Sequence, residues 1–174
     1  SISLGWRFSQ ESFMKNQKWL SNGKLRIGWG LLGNNRIDEL SRYTYLTSGY
    51  NYSFGLGNET IYEGSTATVL GNNNIKWEKN ESWNVGLDLG FLNNRLTCTL
   101  EYFNRKTTDM LLRVPTVSSA GLDASPMTNA GDVKNYGLEA DVKWQDNIGK
   151  DWRYQIGFNI SWIKNKVTKL GTGN

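Results

Sequence analysis

The sequence predicts an all-β fold, an antiparallel up-and-down meander of about six long strands. Three patterns predict it. Apolar and polar residues alternate over long stretches, the period at which successive strand side chains point to opposite faces. Clusters rich in Asn, Gly, Asp and Ser separate those stretches, as turns require. The connections alternate in length: compact after the first, third and fifth strands, long and polar after the second and fourth.

Taken in order, the opening strand sets Ile2, Leu4, Trp6 and Phe8 on one face, with Ser3, Gly5 and Arg7 opposite. The stretch QESFMKNQKWLSNG places Phe13, Met14 and Trp19 at no strand period, which predicts a wide turn containing one helical turn. Alternation resumes with Leu25, Ile27 and Trp29 against Arg26 and Gly28. From Leu31 to about Lys79 the chain is rich in Gly, Asn, Tyr and Thr and holds no sustained apolar face, so a long connection is expected. The clearest hairpin follows. Trp83, Val85, Leu87, Leu89 and Phe91 share one face, the chain breaks at Leu92-Asn93-Asn94, and Leu96, Cys98, Leu100 and Tyr102 resume the pattern. This arm runs on to Pro115, and residues 116–136 read as loop by composition. Leu138, Ala140, Val142 and Trp144 then oppose Glu139, Asp141 and Lys143. After the turn DNIGKD, the last strand puts Trp152, Tyr154, Ile156, Phe158, Ile160 and Trp162 on one face without an exception.

Two environments suit such an oily face: lipid outside a transmembrane barrel, or the core of a soluble β-sandwich. Length favours lipid. Ten steps from Trp152 to Trp162 span roughly 33 Å, and a tilt of about 40° lowers this to a rise of roughly 25 Å, the height of an outer-membrane apolar band between aromatic girdles. Sandwich strands are usually shorter, about five or six residues. The polar-face residues Arg26, Asp88, Glu101, Glu139 and Asp141 suit a wet lumen as well as a solvent side. A soluble all-β module therefore stays open on the pattern alone.

Composition narrows the chemistry. Low mean hydropathy and the lack of a long apolar run exclude a transmembrane helix but not barrel strands, which are only half apolar. A formal charge of +4 from scattered basic residues gives nucleic-acid binding little support. With 0 His, the commonest general base and metal ligand is absent. One Cys excludes an internal disulfide, and Cys98 reads as a small hydrophobe within its strand. No catalytic, cofactor or metal constellation emerges: Asp38 and Glu39 lack a partner base, GLGNET lacks the Lys and following helix of a phosphate loop, and the glycosylation-type triplet from Asn58 to Thr60 is common by chance.

From Asn72 to Pro115, NNNIKWEKNESWNVGLDLGFLNNRLTCTLEYFNRKTTDMLLRVP resembles the barrel of SusC/RagA-type TonB-dependent transporters of Bacteroidetes. KWLSNGKLRIGWGLLGNN upstream and TNAGDVKNYGLEADV downstream extend the resemblance over nearly the whole chain. The downstream stretch fits the pattern N-x-G-x-V-x-N-x-G-x-E at Asn129, Gly131, Val133, Asn135, Gly137 and Glu139. The resemblance implies a large barrel of about 22 strands with an N-terminal plug, importing glycans or peptides across the outer membrane of a Gram-negative bacterium. It implies a SusD-like surface lipoprotein and TonB as partners, no enzymatic activity and no cofactor. Six strands cannot close even the smallest barrels of about eight. Residues 1–174 are therefore expected to be one partial barrel domain, an interior piece of the wall without plug or second domain. An adhesin without a transport role is the alternative within the membrane.

Tyr43, Tyr45, Tyr50, Tyr52, Phe54 and Tyr62, in the long second connection, are the candidate substrate contacts. Their rings offer flat faces to sugars or peptide side chains and their hydroxyls a hydrogen bond; the bland alternative is that they pack the loop or alternate within an extended strand. Trp77 is expected to be structural. If the compact turns are periplasmic, strands four and six end outward at Arg105 and Lys106 and at Lys164, Lys166 and Lys169. These cations are expected either level with lipopolysaccharide phosphates or simply solvated.

Overall fold

The computed structural model describes every residue except 15, 56, 58, 59, 123 and 172–174. Asn58 and Glu59 of the glycosylation-type triplet thus lie outside the described residues. β1 (Ile2–Trp6) and β2 (Leu20–Asn34) open the chain. Four short strands, β3 (Tyr45–Ser48), β4 (Tyr52–Phe54), β5 (Thr60–Tyr62) and β6 (Ser65–Val69), occupy the long connection. β7 (Glu78–Phe91), β8 (Leu96–Arg113), β9 (Met127–Ile148) and β10 (Trp152–Leu170) follow. The main sheet runs β1-β2-β7-β8-β9-β10, so its members pair in chain order, as the sequence predicts for a meander. Among the described residues the only helical segments are single 3-10 turns at Phe8–Gln10, Glu39–Arg42 and Ser118–Ala120.

The contacts group into two units. The first comprises Ser1–Leu32, Asn80–Thr107 and Val133–Val167. Within it, Ile2 pairs with Trp29 and Leu4 with Ile27, so the apolar faces of β1 and β2 coincide. Among the described residues no second layer covers that shared face. Leu100 on β8 is 44 % exposed and Leu138 on β9 is 55 % exposed, although both strands have neighbours on either side. A sandwich would bury both. The hairpin turn after β7 holds Leu92, Asn93 and Asn94 all at positive φ. Asn tolerates this conformation because its side chain bonds locally, and neighbours on both sides brace the turn. The Asn93 N–H donates to Ser21 Oγ at 2.7 Å, and Gln145 Nε2 donates to the Asn94 carbonyl at 3.1 Å.

Aromatic rings bound the apolar face at two levels. At one end Trp19 stacks on Phe91 at 5.8 Å, and Trp144 Nε1 donates to the Tyr154 hydroxyl at 3.3 Å. At the other, Trp83 meets Tyr102 at 5.4 Å and Tyr136 meets Trp162 at 6.2 Å. Trp83 to Phe91 and Tyr136 to Trp144 are each eight steps, roughly 26 Å of strand. The rows therefore stand about 20 Å apart once the strands tilt, close to the apolar height of an outer-membrane barrel.

The second unit comprises Gly33–Lys79, Thr108–Asp132 and the residues from Thr168 onward. Here the structure corrects the sequence reading. The chain from Met127 to Tyr136 is strand, not loop; pairing uses backbone groups and does not require an apolar face, so composition misplaces the boundary. The connection after β2 is also more ordered than its composition suggests. β3 pairs with β6 and β4 with β5, giving two short ribbons in one excursion.

Candidate functional site

Two places concentrate polar and aromatic chemistry, one in each unit. In the first unit the polar face of β2, β7 and β8 brings together Arg26, Asn84, Asp88 and Glu101. Alternation puts all four on one side, and antiparallel pairing sets them abreast. Arg26 Nε donates to Asp88 Oδ2 at 2.8 Å and Nη2 to Oδ1 at 3.0 Å, a two-pronged grip; Nη2 also reaches Glu101 Oε2 at 3.4 Å. Asn84 Nδ2 donates to Glu101 Oε1 at 3.2 Å and completes the group.

Glycine makes the grip possible. A Cβ at Gly86 would stand 2.7 Å from Arg26 Nη2, so the guanidinium lies across bare backbone to reach its carboxylates. Glu139 and Asp141 share that face; Lys143 Nζ pairs with Asp141 at 2.8 Å. A shallow cleft of about 490 Å³ is lined by Asn84, Glu101, Arg105, Asn135 and Glu139 among others. Charge of both signs, half open to solvent, suits a wall that faces water. The sequence named Arg26, Asp88 and Glu101 as polar-face residues but did not show that they touch. Among the described residues no group of His, Cys, Asp and Glu is placed to hold a metal.

The predicted loop aromatics lie in the second unit, and the structure divides them. β4 pairs with β5 so that Tyr52 stands opposite Tyr62, with Phe54 one pleat along the same face. Tyr52 stacks on Phe54 at 5.8 Å and Phe54 meets Tyr62 edge-on at 5.8 Å. All three rings are exposed, Tyr52 at 69 %. They form one aromatic platform. Tyr50 precedes the ribbon, and Tyr43 ends the turn Glu39–Arg42; both are exposed but outside the trio. Tyr45 differs. Its hydroxyl is shut from solvent with no partner among the described residues. Loss of hydration, with the nearby Asp38 carboxylate, holds that hydroxyl above the usual tyrosine range.

What anchors this excursion was not visible in the sequence. Asn129 Nδ2 donates to the Lys76 carbonyl at 2.8 Å and to the Asp109 carbonyl at 2.7 Å, while the Lys76 N–H donates to Asn129 Oδ1 at 2.8 Å. One amide side chain thus imitates a strand edge and fastens the returning chain to β8 and β9. Asn72 adds a second tie, Nδ2 to the Met127 carbonyl at 3.1 Å. Asp109 sits at positive φ, and its N–H is held by Asp132 Oδ1 at 3.0 Å. Trp77 lies against Gly33, where a Cβ would stand 3.3 Å from its ring, and the residue is otherwise 62 % exposed.

Residues 1–174 match the family described as TonB dependent receptor-like, beta-barrel. The TonB-dependent receptor SusC of Bacteroides thetaiotaomicron is 36% identical over 178 residues, covering 100% of this chain and 17% of that protein. TonB-dependent receptor P3 of Formosa agariphila is 29% identical over 174 residues, again 100% of this chain and 17% of the relative. Among solved structures, the RagAB peptide importer in its closed-closed state matches with a TM-score of 0.78 at 28% identity, over 99% of this chain and 18% of that one. The chain spans about a sixth of the length of the proteins it matches.

Proposed function

Because this chain belongs to the TonB-dependent receptor-like β-barrel family, we propose that it forms part of the wall of an outer-membrane importer. Residues 1–174 are then one continuous piece of barrel wall rather than a domain with its own core. The observation that carries this reading is the apolar face of the first unit: bounded by aromatic rows at two levels, covered by no second sheet among the described residues, and backed by the Arg26–Asp88–Glu101 network on the opposite face. Lipid satisfies the first face and a water-filled lumen the second.

The imported substrate is an oligosaccharide or a peptide. RagAB is described as a peptide importer, and the Tyr52–Phe54–Tyr62 platform suits flat apolar surfaces of either class. Capture involves a SusD-like surface lipoprotein, and passage draws energy from TonB; neither step makes or breaks a covalent bond. The test is uptake. Cells lacking the full-length protein should fail to accumulate a labelled oligosaccharide or peptide that wild-type cells import, and deletion of TonB should abolish the same uptake. Surface binding without TonB-dependent uptake would support an adhesin, and a full-length product secreted in soluble form would support a glycan-binding module.

A further inference from the structure

The alternation of the apolar face continues past its outer aromatic row. Beyond Tyr102 the same side of β8 carries Lys106. Beyond Tyr136 the same side of β9 carries Lys134, and beyond Trp162 that of β10 carries Lys164 and Lys166. Three contacts fix their face and level. Lys134 Nζ lies 5.3 Å from the Tyr136 ring centroid, and Tyr136 touches Trp162, so all three share one side. Asn165 Nδ2 donates to Asn135 Oδ1 at 2.6 Å on the opposite side, which sets Lys134 beside Lys164 and Lys166. Between β8 and β9, a Cβ at Gly137 would stand 3.0 Å from the Phe103 ring; three residues outward from these two stand Lys134 and Lys106.

Lys106, Lys134 and Lys166 therefore form a row across three adjacent strands spaced about 4.8 Å apart, with Lys164 one pleat nearer the aromatics. None of the four pairs with a carboxylate among the described residues, whereas Arg26, Lys79, Arg95 and Lys143 all do. Like charges opposed on neighbouring strands repel, so such a row calls for an outside anion. The sorting also revises the sequence reading of these cations. Arg105 belongs to the polar-face cleft and Lys169 to the other parity, while Lys134 lies in a stretch that composition had marked as loop.

We propose that Lys106, Lys134 and Lys166 bind the phosphate-bearing headgroup of a glycolipid in the outward leaflet of the membrane. The inference rests on the reading of the apolar face as lipid-facing. The aromatic row marks the edge of the hydrocarbon, cations just beyond it stand at headgroup depth, and lysine stems lie along apolar surface while their ammonium groups reach the phosphates.

The test uses the full-length protein in nanodiscs of phosphatidylcholine containing a minor fraction of lipid A, either diphosphorylated or fully dephosphorylated. Lipid retained by the protein is measured by mass spectrometry. Wild type should retain the phosphorylated form selectively. The triple variant Lys106→Gln/Lys134→Gln/Lys166→Gln should lose on the order of a hundredfold in affinity, about fivefold per charge. A control on the polar face, Arg105→Gln together with Lys24→Gln at the β2 position two residues before Arg26, should bind as wild type. Should the triple variant fail to insert, Lys134→Gln alone should still show about the fivefold loss. Equal retention of both lipid forms, or full binding by the lysine variants, would overturn the proposal while leaving the barrel reading intact. Failure of wild type to enter plain phosphatidylcholine discs would overturn both.

Discussion

Arg26 and Asp88 are 62 positions apart in sequence and joined by two hydrogen bonds of 2.8 and 3.0 Å, with the guanidinium lying across Gly86 between them. The pair ties β2 to β7, strands brought together across the whole long connection. Its side chains are about a third exposed, so it is worth roughly 1 kcal/mol, in the range of partly solvated ion pairs. Gly86→Ala should force the guanidinium aside and cost about as much. In a double-mutant cycle, Gly86→Ala should cost little once Asp88→Asn is present. Additive losses would mean that the glycine matters for some other reason.

Leu87, next to Asp88, lies midway between Trp83 and Phe91 on the apolar face. In the full-length protein folded into bilayers, Leu87→Arg should lower the folding free energy by roughly 2–4 kcal/mol, as for Arg at the midplane of a barrel's lipid face. Asp88→Asn should cost at most about 1 kcal/mol, all of it from the lost ion pair. Equal costs at the two neighbours would remove the distinction between a lipid side and a lumen side.

A Cβ at Gly137 would stand closer to the Trp162 carbonyl oxygen than any Cβ tolerates, and 3.0 Å from the Phe103 ring, which would have to give way. Gly137→Ala should destabilise by about 1–3 kcal/mol, the usual cost of overpacking. Adding Phe103→Leu should recover only part of the loss, because the carbonyl cannot withdraw without bending β10. Thermal unfolding of the three variants gives the comparison.

Asn129 both donates and accepts, so it cannot be replaced by either function alone. Asn129→Ala should cost roughly 1–3 kcal/mol for the backbone groups it leaves without partners. Asn129→Asp should fare no better: it keeps the acceptor for the Lys76 N–H but turns a carboxylate toward two carbonyl oxygens. Hydrogen exchange should show the Lys76 amide losing protection in Asn129→Ala and keeping more of it in Asn129→Asp, with β7 unchanged in both.

For the loop aromatics, Tyr52→Ala and Tyr62→Ala should each raise the substrate concentration for half-maximal uptake by about tenfold, as loss of a contact hot spot does. Tyr45→Phe should leave uptake unchanged and cost no stability, since its hydroxyl has no partner among the described residues to lose. A Tyr45→Phe variant as impaired as Tyr52→Ala would remove the distinction between platform and support.

The sequence by itself determined the six strands of the main sheet, their order and which residues share each face, whereas it read the short strands β3 to β6 only as a connection. The reason is local: a strand's side chains alternate with period two whatever lies beyond them, so the run from Trp152 to Trp162 announces one face without further information. The two asparagines of the Leu92–Arg95 turn are local signals of the same kind. Where polar sequence continues a strand, as from Met127 to Tyr136, composition failed because backbone pairing asks nothing of the side chains. What tertiary structure alone decided is everything that depends on register between distant strands. Register turned Arg26, Asp88 and Glu101 from a list of polar residues into an ion-pair network, and Tyr52, Phe54 and Tyr62 into one platform. It gave Asn129 its latch and set Lys106, Lys134 and Lys166 side by side on three strands. Each of these follows from a backbone hydrogen-bond ladder that sets residues tens of positions apart within a few ångströms, a relation that alternation along one strand does not contain.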